Sequence, residues 1–175
     1  MKVRWSKQLR REPPAAAALA IFVVSAATLL GAWFFEFVLK LAPCHLCLEQ
    51  RIPYAVIIPL SLLLAVAALV GAPRMLLVVG FVVILIAALA GAALGAYHAG
   101  VEWHLLPGPT ECTGALSDLK AGGSLLKQLQ SVRVVRCDEA AWRFLGISLA
   151  GYNVMISLLM AAIAAFALSA HKRPI

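Results

Sequence analysis

Residues 75–99 read MLLVVGFVVILIAALAGAALGAYHA, without one Asp, Glu, Lys or Arg. A helix needs ~20 such residues to cross the ~30 Å of hydrocarbon in a bilayer, so this run is long enough to span. A helix also pairs its backbone groups internally, as lipid demands. Working outward, the turn sequence Gly71-Ala72-Pro73-Arg74 precedes it, and before that a second apolar run extends from about Ile52 to Val70. Another, Ala15 to Leu39, is opened by Pro13-Pro14 and closed by Lys40; the last extends from about Phe144 to Ala170. The sequence therefore predicts an all-α integral membrane protein. Its architecture is a four-transmembrane-helix bundle, one membrane domain over residues 1–175 with spans near 15–39, 52–70, 75–99 and 144–170.

Composition agrees. Of the 175 residues 63% are hydrophobic and only 13% are charged, and the mean hydropathy is +0.93. A soluble domain of this length has too little interior to hide that much apolar surface. Gly91 and Gly95 form a small-xxx-small face suited to close helix packing. The first run exceeds the ~7–15 residue apolar core of a signal peptide, so it is expected to be a membrane anchor.

The net charge of +7 is concentrated at the chain ends: Lys2, Arg4, Lys7, Arg10 and Arg11 at one, Lys172 and Arg173 at the other. That is the pattern of a topology signal, not of a nucleic-acid surface, and no nucleic-acid partner is expected. Four spans place both termini on one side, and the basic flanks assign that side to the cytoplasm. Residues 40–51 and 100–143 then form outer loops. The long one carries five Lys/Arg and five Asp/Glu, and long loops count little in this rule. Within it, Ser124–Val132 (SLLKQLQSV) sets apolar residues at helical spacing, as in a short helix lying on the membrane surface.

All four cysteines, Cys44, Cys47, Cys112 and Cys137, fall in these two loops, where disulfides are permitted. Four cysteines allow three pairings, and spacing does not choose among them. Cys44 and Cys47 close too small a loop to add much chain-entropy stabilisation, which suits a redox pair better than a staple. Their loop is tied to the membrane at both ends, which holds the pair near the interface. Arg51 follows Cys47 by one helical turn, where a cation favours the reactive thiolate; the bland reading of Arg51 is a snorkelling interfacial cation. His45 either adds to that field or points to water. A Cys112–Cys137 bond would be reachable by a soluble dithiol, although a staple is the commoner role of an exoplasmic disulfide.

Two such bonds in adjacent loops suggest a relay by thiol–disulfide exchange. The Cys44–Cys47 pair must then pass two electrons onward. With no haem-attachment motif and no dinucleotide fingerprint in the chain, a membrane quinone is the acceptor that fits the location. Arg51 is suited to stabilise charge developing on it. The competing reading is a metal site. A structural zinc centre usually wants a second Cys-X-X-Cys, which is lacking, or added histidines, which His98 and His104 offer. No metal is assigned.

Three ordered segments resemble the DsbB family: PCHLCLEQRIPY at 43–54, YHAGVEWHLLPGPTECT at 97–113 and CDEAAWRFLGISL at 137–149. The resemblance spans nearly the whole chain. It implies a quinone-linked disulfide-generating oxidoreductase of the bacterial inner membrane, with both termini cytoplasmic and the cysteine loops periplasmic. Cys112 and Cys137 would take electrons from a periplasmic thioredoxin-fold thiol oxidase of the DsbA type. Cys44 and Cys47 would deliver them to ubiquinone or menaquinone, with Cys47 nearest the ring, Arg51 at the quinone and His98 on the quinone side. Glu102, on the His98 face of the helix, is a candidate proton carrier; Glu36, near the outer end of the first span, has no role assigned. Vitamin-K-epoxide-reductase-like carriers are related in chemistry but place the loop pair before the Cys-X-X-Cys. A reductant carrier would need cysteines within the spans, and this chain has none. A non-enzymatic metal-binding membrane module is the remaining alternative.

Overall fold

The computed structural model describes residues 13–109 and 136–170. It contains four helices long and apolar enough to cross a membrane. Helix α1 (Pro13–Trp33) starts on a proline, whose missing N–H is no loss in a first turn. It runs into a π-helical turn, Phe34–Val38, which turns Phe35 and Glu36 toward a cavity described below. A short helix α2 (His45–Glu49) leads almost directly into α3 (Arg51–Leu69). Helix α4 covers Arg74–Glu102. A two-stranded antiparallel hairpin, β1 (Arg143–Phe144) and β2 (Ile147–Ser148), precedes α5 (Leu149–Ala170).

Two expected boundaries move for local reasons, and a third gains a lead-in. The main helix of the second span begins at Arg51, beside the expected Ile52. A short helix from His45 precedes it, because Cys44 adopts an extended N-cap conformation and its sulfur accepts the Cys47 N–H at 3.2 Å. The third span does not stop at Ala99 but continues to Glu102, which pairs with His98 one turn back along the same helix. The last span starts at Leu149, not Phe144. Leu145 and Gly146 both have positive φ (51° and 81°) and form a two-residue hairpin tip that a helix cannot contain. Ser148 then accepts the Gly151 N–H at 3.2 Å and opens α5. The expected surface helix at Ser124–Val132 lies outside the described residues.

The spans pack as a ring: α1 on α3, α3 on α4, α4 on α5, and α5 back on α1, the α4–α5 contact being the largest. Gly91 and Gly95 are buried against α5, where a Cβ on Gly95 would lie 3.0 Å from Val154 Cγ2 and 3.3 Å from the Ala150 carbonyl oxygen. The close-packing face read from the sequence is thus an interhelical contact. The core draws Ile21, Ile57, Phe81, Ile84 and Met160 from all four spans. Val23, Leu63, Ile86, Leu159 and Phe166 point outward, as a lipid-facing surface requires.

The turn at Gly71 closes the bundle at the end remote from the cysteines. The Ala72 N–H bonds to the Ala67 carbonyl and the Gly71 N–H to the Ala68 carbonyl, a Schellman closure with glycine at φ 75°. At the cysteine end, by contrast, Lys40, His104 and Leu145 adopt left-handed φ of 59°, 57° and 51° without being glycine.

Candidate active site

Cys44 caps α2 and Cys47 lies in its first turn, and their sulfurs are 2.6 Å apart, both as free thiols. Cys44 is buried and Cys47 half-buried. The Cys44 thiol is pushed well above the ordinary range, first by its hydrogen bond to Cys47 and then by burial. Cys137 is 1% exposed and engaged in a disulfide, which is to neither of those free thiols. It packs with Cys44, Leu46 and Val101 in one cluster, against which Cys47 and Tyr97 also lie. The Cys-X-X-Cys and the fourth cysteine are therefore neighbours. Cys112 lies outside the described residues.

His98 stands between these groups. Its Nε2 is 3.6 Å from Cys44 Sγ and 3.7 Å from Glu102 Oε1. Its Nδ1 is 2.7 Å from the Gln50 side-chain nitrogen. An amide nitrogen only donates, so in this arrangement Nδ1 accepts and the ring proton is on Nε2, facing Cys44 and Glu102. The main chain of Cys137 also reaches the His98 ring. Glu102 is buried, and its second oxygen, Oε2, has no hydrogen-bond partner. His104, by contrast, is exposed beyond the end of α4 and does not join the thiols.

Arg51 does not snorkel freely. Its Nη1 is 2.7 Å from Glu36 Oε2 on the π-helical turn. That oxygen has no aligned hydrogen bond, so the contact is an ion pair set off the donor axis. His45 leans toward Glu49 at 3.7 Å and stays about half-exposed, so it belongs to the surface rather than to the thiols. On the other wall, Arg136 holds Asp138 through two bonds of 3.0 and 2.6 Å and reaches Glu139 at 3.2 Å. This pairing keeps the Asp138 carboxyl below the usual carboxylate range. Trp142 stacks on Phe144 and touches Phe35, so the hairpin closes over the turn that carries Glu36.

These groups surround a cavity of about 450 Å³, within the ~300–1,000 Å³ usual for small-molecule sites. Cys44, Cys47, Gln50, Arg51, His98 and Glu102 all line it, and much of the remaining wall is apolar, from Leu29 and Phe35 on one side to Leu149 and Ile156 on the other. Deeper in the bundle, Tyr54 donates to Asn153 Oδ1 at 2.6 Å, and Asn153 donates to the Gly91 carbonyl at 3.4 Å.

A family model for disulfide bond formation protein DsbB matches residues 14–167. The chain belongs to the DsbB family. As a DsbB-family protein it is a membrane disulfide-bond-forming oxidoreductase. An uncharacterized protein of Rickettsia prowazekii (strain Madrid E) is 28% identical over 143 residues, which is 80% of this chain and 79% of the relative.

The sequence reading placed Cys44, Cys47, Arg51 and His98 together, and the structure brings all four to one cavity. It missed Gln50, although that residue stands next to Arg51 and is too polar to be idle in a buried helix start. It named Glu36 without its partner, because a pairing across two helices leaves no periodic trace.

Proposed function

We propose that this DsbB-family chain works as a single membrane domain, carrying electrons from a periplasmic thioredoxin-fold dithiol to a membrane quinone. The observation that supports it is the single cavity faced by both Cys-X-X-Cys sulfurs and by Arg51, with Cys137 packed directly behind them. A reduced partner of the DsbA type attacks a Cys112–Cys137 disulfide and leaves oxidised. The resulting dithiol reduces a Cys44–Cys47 disulfide by the same exchange. The Cys44–Cys47 dithiol then re-forms its disulfide and releases two electrons and two protons. A quinone, ubiquinone or menaquinone, is the substrate that takes up both and leaves as the quinol. Arg51 offsets negative charge developing in the cavity. His98 and Glu102 carry protons away from Cys44, and Gln50 fixes the imidazole orientation.

The cysteine end would face the periplasm of a bacterial inner membrane, because α1 begins and α5 ends at the opposite end of the bundle, and basic residues precede the one and follow the other in the sequence. Quinone absorbance in detergent tests the relay. Loss of oxidised quinone should require both a reduced thioredoxin-fold oxidase and Cys44, and should vanish in Cys44→Ser. Undiminished quinone reduction by Cys44→Ser or Cys47→Ser would overturn the proposal.

A further inference from the structure

A relay needs two sulfurs close together. It does not need a third soft donor at coordination distance, yet this site has one. Cys44 Sγ, Cys47 Sγ and a His98 ring nitrogen all lie within 4.8 Å of one another. In tetrahedral zinc sites the metal–ligand lengths set sulfur and nitrogen about 3.5 Å apart, and Cys44 Sγ is 3.6 Å from His98 Nε2. Glu102, outside that cluster, is the candidate fourth ligand. Glu102 Oε1 is 3.7 Å from the same nitrogen, and the other carboxylate oxygen is buried with nothing to bond. A buried unpaired oxygen of that kind calls for a partner.

We propose that the reduced Cys44–Cys47 dithiol, together with His98 and Glu102, is a binding site for a borderline-soft divalent cation of the Zn²⁺ type. Metal and disulfide then compete for the same two sulfurs. Binding converts two thiols to thiolates, releases their two protons to solvent and transfers no electrons. The oxidised pair has no thiolate to offer, so only the reduced protein takes metal, and the metal holds it reduced. Two thiolates and an imidazole select against Mg²⁺ and Ca²⁺. Arg51, close enough to Cys47 to act on its charge, offsets the excess negative charge of the filled site.

Three movements are required. The Glu102 carboxylate must swing toward the sulfurs, since it lies outside their cluster with His98. The sulfurs must part from 2.6 Å to about 3.8 Å, which a rotation of Cys47 into the cavity provides. The Nε2 proton must also shift to Nδ1, so the Gln50 amide must turn and present its oxygen. A carboxylate at position 50 would favour that tautomer, as carboxylate–histidine–zinc arrangements do.

The test uses the full chain in detergent, with no quinone and no thiol partner, so it stands or falls independently of the electron-transfer proposal. Reduced and oxidised wild-type protein would each compete for Zn²⁺ against a chromophoric chelator. One equivalent should bind to the reduced chain and none to the oxidised chain. Cd²⁺ should give a thiolate charge-transfer band with the intensity of two sulfurs. His98→Ala should weaken binding at least ~10-fold and Gln50→Glu should tighten it. Equal binding by both redox states would overturn the proposal, and so would full affinity in His98→Ala. The redox comparison uses the unmodified chain, so a misfolded variant does not obscure the result.

Discussion

Replacing Glu36 by glutamine isolates the Glu36–Arg51 ion pair. The contact is 2.7 Å long, and the side chains are 22% and 23% exposed. Exposed pairs contribute about 0.2–1 kcal/mol, while breaking a fully buried pair costs about 3–5 kcal/mol. This pair sits between those limits, and its off-axis geometry favours the lower half, giving a coupling of about 1–2 kcal/mol. The assay is a double-mutant cycle on stability in detergent, with Glu36→Gln, Arg51→Gln and the double variant. Each single change should destabilise by about the coupling energy, and the double by little more than either alone. In quinone turnover, Arg51→Gln should raise KM, because it removes the cation that offsets negative charge in the cavity. Glu36→Gln should not raise KM, because it leaves the cation in place. Effects on stability that add to within ~0.3 kcal/mol would show that the two side chains do not interact, and the account of Arg51 as a held cation would fail.

Gly95→Ala drives a Cβ into Val154 and the Ala150 carbonyl and should cost about 1–3 kcal/mol in thermal unfolding. Gly80→Ala should cost less, because the nearest atoms there belong to the end of the Leu64 side chain, not to backbone. Tyr54→Phe removes the 2.6 Å bond to Asn153 and should destabilise by about 1 kcal/mol in the same assay. Alkylation of Cys44 in the reduced protein should be slow at pH 8 and still rising at pH 10, since a pKa raised above the usual thiol value keeps the thiol protonated. Cys47→Ala removes the main cause of that shift, so Cys44 should then alkylate faster at pH 8; an unchanged rate would show that burial alone governs it.

The membrane spans were legible because a hydrocarbon-crossing helix is a property of composition over twenty or more residues. Their ends were less so. Cys44 opens a helix through a sulfur hydrogen bond, and hydropathy does not register hydrogen bonds. His98 takes its partners from Gln50, just after α2, and from the Cys137 main chain, which no local window contains, and Glu102 pairs with His98 one turn along. The hairpin before α5 did carry a signal, Leu-Gly within Arg143–Ser148, but the apolar residues around it read as a continuation of the span. At the site, Cys44, Cys47 and Arg51 were found because they are close in sequence. Gln50 and the Glu36 pairing were not, since each takes its meaning from a residue at least 15 positions away.

Among the described residues, the non-glycine left-handed positions gather at the cysteine end, at Lys40, His104 and Leu145, while the remote turn uses Gly71. Each such residue costs of order 1 kcal/mol or more that a glycine would not. This divides the molecule for an engineer. Glycine or asparagine at these three positions is the first place to seek a hardier protein for purification or biosensing. If such a variant melts higher but turns over more slowly, the tension in those joints serves the catalytic cycle. If it melts higher at full speed, that margin of robustness is free to use.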